Sequence, residues 1–152
     1  MIKRIILFLI LNFSALGIGG AFTGKGVPSD WYQNLNKAPW TPPGWVFGTA
    51  WTLIMIFFAI YMAYLIMKNS NLKKVIILFL IQWILNVAWN PIFFYYQGVL
   101  AGFITISLLT ILISYFLFYY KNELKLKSLF IAPYFIWLII ATSLNGYILF
   151  FN

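Results

Sequence analysis

The sequence predicts an all-α integral membrane protein built as a single bundle of five transmembrane helices. Of its 152 residues, 64% are hydrophobic and only 8% are charged, which leaves too little polar surface for a soluble domain. Five uncharged apolar stretches are each long enough to cross about 30 Å of hydrocarbon as a helix. The expected helices cover residues 5–22, 43–67, 75–95, 99–120 and 128–151.

The composition also restricts the chemistry. The chain has neither cysteine nor histidine, which removes disulfides, the commonest metal ligands and the usual proximal haem ligand. Asp30 and Glu123 are its only carboxylates, so we expect no metal site and no acid/base pair. The net charge of +8 comes from residues that flank the apolar stretches, as beside an anionic membrane leaflet, and we expect no nucleic-acid partner.

The first apolar stretch follows Lys3 and Arg4, which also suits a secretory signal peptide. Its length, and its continuation through Gly20, favour a retained transmembrane helix. Gly20 and Gly24 have the GxxxG spacing that lets another helix approach closely, although they also suit a fraying helix end.

The connection from Thr23 to Pro43 is predicted to be a long lid loop between the first two helices. It contains four prolines, and the stretch Trp31 to Trp51 contains four of the seven tryptophans of the chain. Long loops in compact proteins tend to be lids or binding loops, so we expect this one to cover a pocket. Pro42 and Pro43 suit the first turn of the second helix.

The third helix carries amides and indoles at spacings of three and four residues, which places them on one face. Because amides that face lipid are costly, this face should look into the bundle, either toward a ligand or toward helix-to-helix hydrogen bonds. Pro91 should kink or end this helix. The face comprises Gln82, Trp83, Asn86, Trp89, Asn90 and Phe93.

The fourth and fifth helices show two further patterns. Small residues at Gly98, Gly102 and Thr105 form a ridge, continued by Leu109, that suits packing within the subunit or in a dimer. The fifth helix repeats its pattern at three and four residues. Its predicted inward face comprises Tyr134, Trp137, Ala141, Leu144 and Asn145.

Five helices place the ten basic residues very unequally. One side holds eight of them, and the other holds only Lys25 and Lys37. The positive-inside rule therefore predicts a cytoplasmic N-terminus, with the lid loop and the C-terminus outside.

Three sequence blocks connect the chain to a known family. They are WYQNLNKAPWTPPGWVFGTAWTLIMIFFAIY from Trp31, QWILNVAWNPIFF from Gln82 and APYFIWLIIATSLN from Ala132. With these blocks the chain resembles the TspO/MBR family, the tryptophan-rich sensory and translocator proteins formerly called peripheral benzodiazepine receptors. The resemblance covers essentially the whole chain.

The resemblance implies a homodimer of five-helix subunits in a bacterial cytoplasmic membrane, in contact with membrane lipid. It also implies a lidded pocket for protoporphyrin IX, haem-type tetrapyrroles or drug-like hydrophobic ligands. The sterol motif of animal members needs a basic residue after a tyrosine, and none follows Tyr147, which lowers the expectation of sterol binding. The implied pocket positions are Tyr32, Trp40, Pro42, Trp51, Asn86, Trp89, Asn90, Trp137, Ala141 and Leu144.

Four functions fit this reading. The first is a porphyrin-binding sensor or scavenger. The second is light-dependent oxidative degradation of protoporphyrin, in which the porphyrin is the photosensitiser, Trp51 and Trp137 carry electrons, and no fixed cofactor is needed. The third is a transporter of porphyrins or other small hydrophobic ligands, although no intramembrane charge or inverted repeat is visible. The fourth is a non-catalytic structural membrane partner.

Overall fold

The computed structural model describes residues 1–152, and its regular structure is entirely helical. The elements are α1 (Ile2–Gly26), α2 (Asp30–Asn34), α3 (Gly44–Lys68), α4 (Leu72–Asn90) with a π-helical turn (Pro91–Tyr95), α5 (Val99–Tyr119), α6 (Lys121–Leu124), a 3-10 segment (Lys125–Ile131) and α7 (Ala132–Phe151). Five stretches are long and apolar enough to cross a membrane, namely α1, α3, α4 with its π-helical turn, α5, and α7 with the segments before it. The prediction of a five-helix membrane protein is confirmed.

Three of the long helices begin or end several residues away from the predicted positions. The first continues to Gly26, so Thr23 is helical rather than part of the loop, and its hydroxyl oxygen lies 3.2 Å from the Gly19 carbonyl oxygen. The third begins at Leu72, because the Asn71 side chain accepts a hydrogen bond from the Lys74 amide at 3.1 Å and caps the first turn.

The last helix begins later than expected. Lys125 has a φ of 53°, a left-handed conformation that an α-helix cannot contain, and a 3-10 segment follows it. The regular helix therefore starts at Ala132 rather than at residue 128. The 3-10 segment packs against α3 and closes this end of the bundle.

Pro91 ends the α-helical part of the third span, as predicted. A proline has no N–H to continue the ladder, and the chain widens into a π-helical turn that closes with a bond from the Tyr96 N–H to the Pro91 carbonyl at 3.0 Å. The buried rings of Phe93 and Phe94 lie in this turn. The turn therefore forms an aromatic cluster where α4 approaches α1.

The five long helices form a closed ring in which α1 packs against α4, α4 against α5, α5 against α7, α7 against α3 and α3 against α1. One end of this bundle, here called the basic end, carries the N-terminus and the turns around residues 68–74 and 120–131. The other end, here called the lid end, carries the 27–43 segment and the C-terminus. The packed core lies mainly toward the basic end, where Phe58, Tyr61 and Phe116 are fully buried.

Close helix contacts occur at some predicted glycines and not at others. The GxxxG pair of Gly20 and Gly24 has open space where a side chain would stand, so no helix of the bundle approaches closely there. The close contacts of α1 are made by two other glycines. Gly19 lies against the Asn90 amide, and Gly26 lies against the Phe94 ring. The ridge on α5 packs within the chain, with Gly102 against Phe93.

Candidate ligand-binding site

A cavity of about 660 Å³ opens in the lid end of the bundle, between α1, α3, α4, α7 and the 27–43 segment. Its volume falls within the ~300–1,000 Å³ typical of sites for small organic ligands. Of its 27 lining residues 14 are hydrophobic, and Lys37 is the only charged one. The space suits a largely apolar molecule with a few polar anchors.

The first half of the 27–43 segment is fixed by aromatic contacts. Ser29 caps α2 by accepting a hydrogen bond from the Tyr32 amide at 3.3 Å. The Trp31 ring packs on Phe93 and the Tyr32 ring packs on Phe94, each with 5.5 Å between ring centroids. The short helix thus lies on the π-helical turn and covers the mouth of the cavity from the side of α4.

The second half of the segment is held to the end of α7 by polar contacts. The Asn36 amide donates to the Asn152 side chain at 2.7 Å, and the Trp40 indole donates to the Ser143 hydroxyl at 3.1 Å. The Trp40 ring also lies against Tyr147, with centroids 5.5 Å apart, and is 54% exposed. Trp40 is therefore turned away from the cavity.

The cavity brings together nine of the ten residues predicted for the pocket, and Trp40 is the exception because its N–H and ring are committed to the outside of α7. The residues that line it are Tyr32, Pro42, Trp51, Asn86, Trp89, Asn90, Trp137, Ala141 and Leu144.

Three indoles form aromatic walls but differ in their hydrogen bonds. Trp89 donates to the Asn145 amide oxygen at 3.2 Å. Trp137, packed edge-on to Phe47 at 5.3 Å, has a buried N–H without any partner, and Trp51 likewise donates to no protein group. Trp51 and Trp137 can therefore change chemically without breaking a hydrogen bond of the fold.

The two asparagines on α4 also differ. Asn90 accepts from the Thr23 hydroxyl at 2.7 Å and donates to the Asn86 carbonyl at 3.1 Å, so its amide is occupied. Asn86 lines the cavity, and its side chain makes no hydrogen bond within the protein. On the same face, Gln82 donates to the Tyr134 hydroxyl at 2.8 Å. Gln82 and Asn90 therefore make hydrogen bonds between helices, whereas the Asn86 side chain is available to a ligand.

Lys37 is the one charged residue in the cavity lining, and sequence reasoning did not include it in the site. Its ammonium donates to the carbonyls of Gln33 and Leu35 at 3.2 and 3.4 Å and lies 4.7 Å from the centre of the Tyr32 ring. Burial raises the pKa of the Tyr32 phenol, and Lys37 supplies the only charge of the cavity lining. The available signal was the position of Lys37 between Trp31 and Trp40, in the middle of the tryptophan- and proline-rich stretch.

The sequence relationships agree with this architecture. The profile of the TspO/MBR family matches residues 6–151. The chain belongs to the TspO/MBR family. It is 36% identical to the tryptophan-rich protein TspO of Chlorobaculum tepidum over 91% of this chain and 89% of that protein. It is 35% identical to the TspO protein of Archaeoglobus fulgidus, over 90% and 89% of the two chains.

The relationship extends to animals. The human translocator protein is 31% identical over 84% of this chain and 78% of its own length. The TspO/MBR chain described here is therefore an integral membrane protein of a family with sensory and translocator members.

Proposed function

We propose that this protein binds a porphyrin in the lid-end cavity and acts as a membrane sensor or scavenger of protoporphyrin-type tetrapyrroles. The observation that carries the proposal is an aromatic-walled cavity of about 660 Å³ with a single cation at its mouth. A porphyrin is a flat apolar ring with carboxylates on one edge. Its faces can stack on Trp51, Trp89 and Trp137, and its edge can meet Lys37.

The donor set favours a metal-free porphyrin. Haem iron in proteins is held by histidine, cysteine, methionine or tyrosine, and of these only Tyr32 lines the cavity. The proposed binding depends on stacking, on the unpaired Asn86 amide and on the Lys37 charge. None of these contacts requires an axial ligand.

The test is a titration in darkness with protoporphyrin IX and with its uncharged dimethyl ester, followed by tryptophan fluorescence. Saturable quenching by both ligands is expected. Lys37→Gln should weaken binding of the acid about fivefold, as for a partly exposed ion pair of ~1 kcal/mol, and leave the ester unchanged. Lys25→Gln is the matched control, because Lys25 is exposed and absent from the cavity lining. Quenching that never saturates with either ligand would refute the proposal.

A second candidate is light-dependent oxidative degradation of the bound porphyrin. The observation that favours it is the pair of cavity indoles, Trp51 and Trp137, whose N–H groups donate to no protein group. The porphyrin would absorb the light, dioxygen would be the oxidant that accepts the electrons, and the indoles would relay them, so no acid/base pair is needed.

We also propose that the protein lies in a bacterial cytoplasmic membrane with its basic end inside. The eight-to-two partition of basic residues supports this orientation. A reporter fused after Asn152 should be found outside, and one inserted at Asn71 should be found inside. Both reporters on the same side would contradict the orientation.

A further inference from the structure

A second cavity, of about 430 Å³, lies at the basic end on the outside of α1, α3 and α4. It shares no residue with the lid-end cavity. Buried Phe8, Met62 and Phe79 form its floor, and half-exposed Leu7 and Leu80 stand on its rims. All nine lining residues are hydrophobic: Leu7, Phe8, Leu11, Met62, Ile66, Ile76, Phe79, Leu80 and Trp83. Because these rims are half exposed, the groove opens on the outer surface of the helix bundle.

Two cations stand at the membrane-surface end of this groove. Arg4 precedes Phe8 by four residues and Leu11 by seven, so it shares their face of α1. Lys73 precedes Leu80 by seven residues and shares its face of α4. Arg4 and Lys73 are both exposed.

The neighbouring lysine on α4 is committed elsewhere. Lys74 donates to the Tyr115 hydroxyl at 2.7 Å and lies 4.2 Å from the centre of the Tyr119 ring, on the side of α5. Neither Arg4 nor Lys73 has such a partner among the side-chain hydrogen bonds of the structure. The groove therefore has an apolar floor and two uncommitted positive charges at one end.

We propose that this groove is a binding site for an anionic phospholipid, with one acyl chain along the apolar floor and the phosphate between Arg4 and Lys73. The lining offers no polar group to a headgroup, so only a hydrocarbon chain suits it. Basic residues beside clefts between transmembrane helices attract anionic headgroups, with an effect of about fivefold in affinity per cation near the surface. The charge pattern thus selects phosphatidylglycerol over a zwitterionic lipid.

Trp83 provides a built-in reporter, because it lines the groove and its indole is fixed by a hydrogen bond to the Leu11 carbonyl at 2.9 Å. The protein is placed in phosphatidylcholine vesicles that contain a minor fraction of lipid with brominated chains, which quench nearby tryptophan. The Trp83 signal is the difference between the protein and Trp83→Phe. Brominated phosphatidylglycerol is expected to quench this signal at several-fold lower mole fraction than brominated phosphatidylcholine.

The double variant Arg4→Gln/Lys73→Gln should abolish that preference. Lys121→Gln/Lys125→Gln is the matched control, because it removes the same charge from exposed residues of the basic end that lie outside the groove. Equal quenching by the two lipids, or a preference that survives in the Arg4/Lys73 variant, would overturn the proposal. A Trp83 signal that neither lipid quenches would also overturn it, since a second copy of the chain would then cover the groove.

Native mass spectrometry gives a measurement that leaves Trp83 unchanged. Protein released from mixed phosphatidylglycerol and phosphatidylcholine should retain one phosphatidylglycerol molecule, and the Arg4/Lys73 variant should lose most of that adduct. Retention at the level of the Lys121/Lys125 control would contradict the site. Neither measurement uses the lid-end cavity, so the outcome is independent of porphyrin binding.

Discussion

The two halves of α3 show how this bundle separates folding from binding. From Ile54 to Leu65, eight residues of the helix are buried, whereas none is buried from Gly44 to Leu53. In the first region α3 packs against the 3-10 segment and neighbouring helices; in the second it is a wall of the cavity, which the 27–43 segment covers. The difference suggests that stability resides at the basic end and ligand recognition at the lid end.

The largest effect is expected from a cavity-creating substitution in the packed half of α3. Phe58 is fully buried and lies edge-on to Tyr134, with 5.3 Å between ring centroids. Phe58→Ala should lower the free energy of unfolding by about 3–5 kcal/mol, because it leaves a cavity that close-packed helices cannot fill. Trp45→Ala is the control on the other half of the same helix, where the ring is 73% exposed and its loss should cost far less.

Thermal unfolding in detergent, followed by circular dichroism, measures both variants. The porphyrin affinity of folded Phe58→Ala protein should stay near that of the parent. A large loss of affinity without a loss of stability would show that the two halves are not separable.

The next effect concerns the junction between the lid end and the bundle. A side chain at Gly26 would collide with the Phe94 ring, on which Tyr32 rests. Gly26→Ala should therefore displace the first half of the 27–43 segment, destabilise the protein by about 1–3 kcal/mol and weaken ligand binding. Gly17→Ala is the control in the same helix, because open space surrounds that position and alanine favours a helix by up to ~1 kcal/mol. Equal effects of the two substitutions on binding would refute this account.

Apolar length and charge asymmetry were enough to predict the five spans, and the family resemblance supplied nine of the 27 residues that line the cavity. The difference in hydrogen bonding between the side chains of Asn86 and Asn90 could not be predicted. The two amides lie one turn apart on the same face, and they differ only because Thr23 of α1, 67 residues away in sequence, bonds to Asn90. The helix end predicted at residue 22 had left Thr23 in the loop. Such pairings depend on which helices become neighbours, which local patterns do not specify.

Asn86 and Asn90 allow stability and ligand binding to be compared within a single turn of α4. Asn90→Ala removes the acceptor of the Thr23 hydroxyl and should cost about 1–1.5 kcal/mol of stability. Asn86→Ala removes no protein hydrogen bond of the side chain, and it should instead weaken porphyrin binding by roughly fivefold, or ~1 kcal/mol. Unfolding curves and dark titrations of both variants measure the two effects. The opposite result, with Asn90→Ala reducing affinity and Asn86→Ala reducing stability, would contradict this assignment.

The smallest change in affinity is expected for substitutions of Trp51 and Trp137, which test whether these residues only bind the porphyrin or also take part in its light-driven degradation. Trp51 packs edge-on to Tyr134 at 5.9 Å and Trp137 to Phe47 at 5.3 Å, and neither indole donates a hydrogen bond to the protein. Replacing either with phenylalanine keeps an aromatic face, so affinity in darkness should fall by ~1 kcal/mol or less. Phenylalanine is much harder to oxidise than tryptophan. If the indoles carry electrons, the same substitutions should therefore slow light-driven loss of protoporphyrin absorbance far more than they weaken binding. Parallel losses of affinity and photochemistry would leave the two tryptophans as walls of a binding pocket.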